Sequence, residues 1–197
     1  MKKILFFSSI IGMFLGVQSM AGTSKDVQTV DSVDLNKYIG KWFEVASIPQ
    51  SFQKKCVGNT TAEYAFADND LISVVNSCDT NTGERSVAEG RAKVEDAKTN
   101  SKLKVTFVKF FDWVFAFGGK YWVIDIDSGY NYALIGNPSR DYAWILSRTP
   151  SLPIDVLIQS EKHFKDQGYD TCKILSSIQS SGFSERKPIC EIVKGLK

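Results

Sequence analysis

The sequence predicts an all-β fold: an eight-stranded antiparallel up-and-down barrel with one C-terminal α-helix packed outside. Three observations predict it. Eight segments rich in β-branched and aromatic residues follow one another, separated by short clusters of Gly, Asn, Asp and Ser that favour turns. One of them alternates Leu103, Val105 and Phe107 against Lys102, Lys104 and Thr106, the pattern of a strand wetted on one face. After the last strand the spacing turns helical, with Ile154, Leu157, Ile158, Glu161 and Phe164 on or near one face. Eight antiparallel strands with short connections can close and leave no edge, around an interior that side chains nearly fill or that holds one small ligand.

In chain order, residues 1–21 stand apart from the fold. Lys2 and Lys3 precede an apolar run from Ile4 to Val17, and Ser19-Met20-Ala21 has the small-x-small form of a cleavage site. This predicts a secretory signal peptide whose apolar part is too short to span a membrane comfortably. No Cys stands near the cut, so no lipid anchor is expected, and the chain is expected in a bacterial periplasm or outside the cell. The whole chain carries 24 Lys and Arg against 22 Asp and Glu; removing the signal removes two lysines and balances the charge. A balanced chain has no basic field to hold nucleic acid, or an anionic membrane by charge alone.

Residues 22–33 are polar and read as a loose segment. Residues 34–38 read as a capped helical turn into Gly40, followed by strand 41–48 and loop 49–55. Strands 56–66 and 71–78 form a hairpin about Ala67-Asp68-Asn69-Asp70. Strands 85–94, 102–110, 121–126, 131–135 and 142–148 complete the barrel. The loop before 119 is rich in aromatics and glycine. Ser151 is the expected helix cap, with Pro153 in the first turn and Gly168 at the stop. A further short strand, 172–178, follows. The barrel domain is thus 34–180, and 181–197 is a tail.

Four cysteines beyond the signal of an exported chain imply two disulfides, with three possible pairings. Cys56 and Cys78 stand at matching ends of the hairpin, on the faces of Tyr64 and Val74, which favours Cys56–Cys78 and Cys172–Cys190. The second bridge would staple the tail. His163 is the one histidine, so no Ser–His–acid set or histidine metal cluster can be built. No enzyme, metal or cofactor is expected.

Three motifs carry a resemblance. Tyr38-Ile39-Gly40-Lys41-Trp42-Phe43-Glu44-Val45-Ala46 opens the first strand with Gly-x-Trp; Asp127-Ser128-Gly129-Tyr130-Asn131-Tyr132 makes a tight turn; Arg140 to Pro150 ends the last strand. Together they resemble the lipocalins, most closely the bacterial lipocalin and apolipoprotein D branch, over residues 33–178. The resemblance implies that Gly40, Trp42, Asp127, Tyr130, Arg140 and Arg148 close the base of the barrel, with Arg148 lying across Trp42. It also leaves a second disulfide pairing open, Cys56–Cys190 with Cys78–Cys172, because apolipoprotein D-like chains tie a barrel strand to the C-terminal segment. Some bacterial members are lipid-anchored, and this chain departs from them.

What the resemblance implies for function is a non-enzymatic carrier of a small hydrophobic or amphiphilic ligand, such as a fatty acid or lysophospholipid, in lipid storage or membrane maintenance. Alternation supplies the candidate ligand residues. Ala46 and Ile48 share the Trp42 face; Tyr64, Val74 and Asn76 line the hairpin; Val105, Phe107, Trp122 and Tyr142 lie further round. Phe52, Phe110 and Trp113 come from the open-end loops. Asn76, if inward, needs a partner: a neighbouring strand or a ligand head group. Glu44 shares the Trp42 parity and is a buried carboxylate, unless a bulge turns it outward. The aromatics of 110–117 either fold down to plug the barrel, extend the strands, or form a hydrophobic mouth that touches a membrane. A filled barrel acting through that contact is the alternative. A membrane-embedded barrel is disfavoured by the polar alternation at Lys102, Lys104 and Thr106. The oligomeric state is left open.

Overall fold

Backbone pairing runs in chain order. β1 (Gly40–Ser47), β2 (Cys56–Phe66), β3 (Ile72–Thr80), β4 (Arg85–Val94), β5 (Lys102–Thr106), β6 (Gly119–Ile126), β7 (Tyr132–Gly136) and β8 (Ala143–Ser147) each pair antiparallel with the next. β1 pairs with both β8 and β2, which closes the barrel. This structure, a computed structural model, describes residues 26–196. The expected signal peptide lies outside the described residues.

The closed end is built on Gly40 and Trp42. Gly40 takes φ +95°, open to glycine and strained for other residues, and a Cβ there would meet the Arg148 guanidinium at 3.4 Å. Trp42 is fully buried and donates its Nε1–H to the Tyr38 carbonyl at 2.8 Å. The Arg148 guanidinium lies 3.8 Å from the Trp42 ring centroid, as the resemblance implies. It also donates to the carbonyls of Lys37, Tyr38, Ile39, Lys41 and Tyr130. α1 (Leu35–Tyr38), capped by the Asp34 side chain, presents the first two of those carbonyls. Arg140 does not join this set. It sits in the β7–β8 turn and donates to the Gln167 carbonyl at 2.7 Å.

Two apolar cores share the barrel wall. The inner one fills the lower barrel with Trp42, Tyr64, Val74, Leu103, Val123 and Leu146. The outer one lies under α2 (Ile154–Asp166) and α3 (Ile189–Lys194) and contains Val45, Leu134, Ile145, Leu157, Phe164 and Ile189. Burying Leu157 and Phe164 supplies about 2–3 kcal/mol each, which fixes α2 to the wall. Gly168 ends α2 at φ +81°. Ser151 does not cap it: the helix starts after Pro153 with no side-chain cap bond.

The disulfides are Cys56–Cys78 and Cys172–Cys190, so the hairpin geometry decides against the alternative pairing. The second bridge holds α3, and with it the tail. Residues 26–33, read as loose, pack against the barrel. Val27 and Val33 are buried, and the backbone N–H groups of Val30 and Val33 donate to Val123 and Thr99.

A ninth strand, β9 (Leu175–Ser176), pairs with Ala46 and Ser47 of β1. β2 pairs only with the first half of β1, at Gly40–Phe43. Above that point the two strands part, and residues 175–180 fill the seam. Ser177 N–H donates to the Val45 carbonyl and Asn59 N–H to the Ile178 carbonyl, both at 2.8 Å. The Gln179 side-chain amide donates to the carbonyls of Glu44 and Thr60, each at 2.9 Å.

Candidate ligand-binding cavity

Above Trp42 the barrel holds a cavity of about 290 Å3, open at the end opposite Arg148. Tyr64 and Tyr121 line its floor, with Tyr38 bonded beneath them. The Tyr121 hydroxyl bonds to those of Tyr38 at 2.6 Å and Tyr64 at 3.0 Å. Burial pushes the Tyr64 hydroxyl up to about 12, and raises those of Tyr38 and Tyr121 well above the ordinary value. All three stay neutral at physiological pH.

Two polar side chains stand above the floor on successive ladder rows, Asn76 in the row of Trp42 and Ala62 and Glu44 one row higher. On β1 the next inward residue after Trp42 is Glu44, opposite Leu146 of β8. It is 5% exposed. Its carboxylate accepts from Ser47 at 3.0 Å, Ser177 at 2.6 Å and Gln53 at 2.8 Å. Asn76 of β3 pairs with Ala62, as Val74 pairs with Tyr64 below it. The Asn76 Oδ1 is buried with no hydrogen-bond partner among the described residues. The sequence offered a neighbouring strand or a ligand as that partner, and the strand does not supply it.

Aromatic and aliphatic groups form the mouth, together with the Gln53 amide. Phe52 and Gln53 come from the short 3-10 turn after β1, and Phe107, Val108 and Phe117 from the β5–β6 loop. Tyr142 and Trp144 stack at 5.6 Å on the far wall. Gly90 of β4 has a specific use here: a Cβ would stand 2.6 Å from the Thr106 carbonyl and 2.8 Å from the Phe107 ring. Without a side chain at 90, the Phe107 ring turns in against β4.

The sequence candidates Phe52, Tyr64, Val74, Asn76, Val105, Phe107 and Tyr142 line this cavity. Ala46, Ile48, Phe110, Trp113 and Trp122 do not. A bulge between Glu44 and Ala46 moves Ala46 from the inner face to the outer core, and Ile48 packs there too. The bulge falls after Glu44, so Glu44 stays inside. Trp122 is opposite Lys102 on the outer face, with the Lys102 and Lys120 ammonium groups over its ring. Its neighbour Tyr121, opposite the inward Leu103, is the cavity residue. Trp113 folds against the outer wall under Arg91 at 4.9 Å and Lys109 at 5.2 Å. Phe110 is exposed beside Phe111, which is 91% exposed. The loop aromatics thus neither plug the barrel nor continue β5, which ends at Thr106 where its hydroxyl donates to the Val114 carbonyl.

Sequence reasoning did not select Tyr121, Trp144, Gln53, Thr60 or Phe117 for the wall. Trp144 was within reach, since it shares the parity of Tyr142 on the same strand. Tyr121 needs the register of β6 against β5, and the others depend on loop and bulge geometry. Among the described residues, no cluster of His, Cys, Asp and Glu could hold a metal ion.

A Lipocalin-like domain model matches residues 33–179. The chain belongs to the lipocalins. This lipocalin is 37% identical over 174 residues to temperature-induced lipocalin-1 of Arabidopsis thaliana, covering 87% of this chain and 93% of the relative. It is 35% identical over 156 residues to outer membrane lipoprotein Blc of Vibrio cholerae, covering 78% and 87%. Insecticyanin from Manduca sexta superposes on it with a TM-score of 0.62 at 27% identity, covering 85% of this lipocalin and 96% of that chain.

Proposed function

We propose that this lipocalin is exported and carries one small hydrophobic or amphiphilic molecule, of the fatty acid or lysophospholipid class, in its barrel. The observation that carries the reading is the open cavity, apolar at its mouth and floored by neutral tyrosines. Area burial drives binding: hiding a lipid tail supplies several kcal/mol at about 25 cal/mol per Å2. A wall tied by the Cys56–Cys78 bridge limits the ordering cost. Storage or maintenance of membrane lipid follows from the same physics. Catalysis is not part of this reading. His163 lies on α2 outside the barrel, 3.9 Å from Asp125.

Native mass spectrometry of the purified protein, then titration with a fluorescent single-chain amphiphile, tests the proposal. Saturable one-to-one binding, displaced by unlabelled lipid, is expected. Folded protein that binds none of these probes overturns it.

The exposed Phe110, Phe111 and Phe117 beside the mouth favour a second, compatible role for the loop. They would rest on a lipid surface while the cavity loads. Replacing Phe110 and Phe111 by Ser should abolish co-sedimentation with phosphatidylcholine vesicles and slow lipid uptake from them, while binding of dispersed ligand stays unchanged.

A further inference from the structure

The chain's charge balances once the signal is set aside, but the fold does not spread it evenly. Residues 91–120 run from the end of β4 to the start of β6 and carry seven Lys and Arg against three Asp and Glu. Lys93, Lys104 and Lys120 stand in register on three neighbouring strands, in one row of the outer wall. Like charges directly opposite one another across a ladder repel. None of the three is in an ion pair among the described residues, and neither is Arg91 or Lys109.

The β5–β6 loop folds back against this same wall. Arg91 and Lys109 cover the Trp113 ring, and the Lys93 ammonium lies 5.1 Å from the Phe115 ring centroid. Lys104 runs beside Gly118, where a Cβ would stand 3.1 Å from its Cγ. The other loop rings point into water: Phe110 is 79% exposed and Phe117 76%, with the still more exposed Phe111 between them in the chain. Asp112 is the one acid of the loop, and its carboxylate accepts the Trp113 N–H. The β1–β2 turn at the same mouth repeats the combination, with exposed Phe52 followed by exposed Lys54 and Lys55.

Exposed phenylalanines set among cations that lack ion partners match one kind of surface. A zwitterionic bilayer takes the rings and leaves the lysine row unrelieved. A bilayer with net negative head groups takes both, and needs no matching shape. Charge alone does not hold the protein there; it adds to an apolar anchor.

We infer that the mouth face docks on a bilayer bearing anionic phospholipid, with Phe110 and Phe111 in the interface and Arg91, Lys93, Lys104, Lys109 and Lys120 against the head groups. This rests on the lipid-surface contact proposed above and names the charge of that surface. Each cation held near an anionic leaflet strengthens binding about fivefold, and the effect fades beyond a Debye length of about 10 Å.

Co-sedimentation with vesicles of phosphatidylcholine, with and without phosphatidylglycerol, tests it at low and at high salt. Phosphatidylglycerol is expected to tighten binding at least ~10-fold at low salt, and high salt to cancel the gain. Lys93→Gln, Lys104→Gln and Lys109→Gln, combined, should remove the gain while phosphatidylcholine binding and titration with a dispersed amphiphile stay unchanged. The docking face has its own readout, which requires no variant to fold. On phosphatidylglycerol vesicles the amides of residues 107–118 should gain protection from hydrogen exchange, and those of α2 should not. Equal binding to the two vesicles, a gain that survives the triple variant, or protection that falls on α2 instead overturns the inference and leaves the carrier reading and the phosphatidylcholine contact standing. Binding to neither vesicle removes the inference together with the lipid-surface contact, and the amphiphile titration then decides the carrier reading alone.

Discussion

Arg148 shows how much of the closed end rests on one side chain. Its guanidinium stacks on Trp42 and reaches carbonyls on α1, on β1 and in the β6–β7 turn. Lysine would keep the charge and lose the planar fork. Arg148→Lys should therefore destabilise the protein by about 2–3 kcal/mol, read from urea unfolding. The floor tyrosines make a second prediction. A hydroxyl whose folded value is raised contributes stability that is intact below its unfolded value near 10 and is lost as pH rises through the folded value. For Tyr64 that window runs from 10 to about 12. Tyr64→Phe should make stability less sensitive to pH across that range, measured by thermal melts in alkaline buffers.

At the scale of the element, the β6–β7 turn is organised by Asp127. Partial burial works against its charge, but the N–H groups of Tyr132, Asn131 and Gly129 and the Asn131 side chain outweigh it and hold the carboxyl below its ordinary value. A lowered carboxylate stabilises above its unfolded value, and that stability drains as pH falls through the folded one. Asp127→Asn should lower the melting temperature at neutral pH and flatten its decline below pH ~4. β2 and β4 were legible in the sequence to their ends, at 56–66 and 85–94, because turn residues bracket their alternation. β1 was legible only as far as Glu44. The bulge beyond it is set by β8, a strand a hundred residues away, and nothing in Val45-Ala46 marks it. Trp122 and Tyr121 show the same limit: both are aromatic, both suit either face, and only the pairing with β5 decides between them.

Across the whole molecule, the helices and tail behave as an outer layer clamped by Cys172–Cys190. Replacing both cysteines by Ser should cost about 2–4 kcal/mol and expose the amides of α3 to hydrogen exchange before those of the barrel. The three motifs made the closed end and its Arg148–Trp42 contact legible from the sequence, and the matching ends of the first hairpin made the disulfide pairing legible. The cavity was half legible. Parity found Tyr64, Val74, Asn76 and Phe107, whereas the placement of Gln53, Thr60 and Phe117 depends on loops and the seam.

That seam bears on the order in which the protein can be made. Gln179 spans the carbonyls of Glu44 and Thr60, 135 and 119 positions earlier in the chain. Synthesis delivers the N-terminal part first. Once β8 has emerged, the tyrosine floor and the Arg148 closure have all their residues. The wall beside Glu44 remains a slot until residues 175–180 arrive. A chain stopped before them would form a base without a finished rim, and Glu44 would face water. A stretch made only after all eight barrel strands is the one that turns a curled sheet into a vessel.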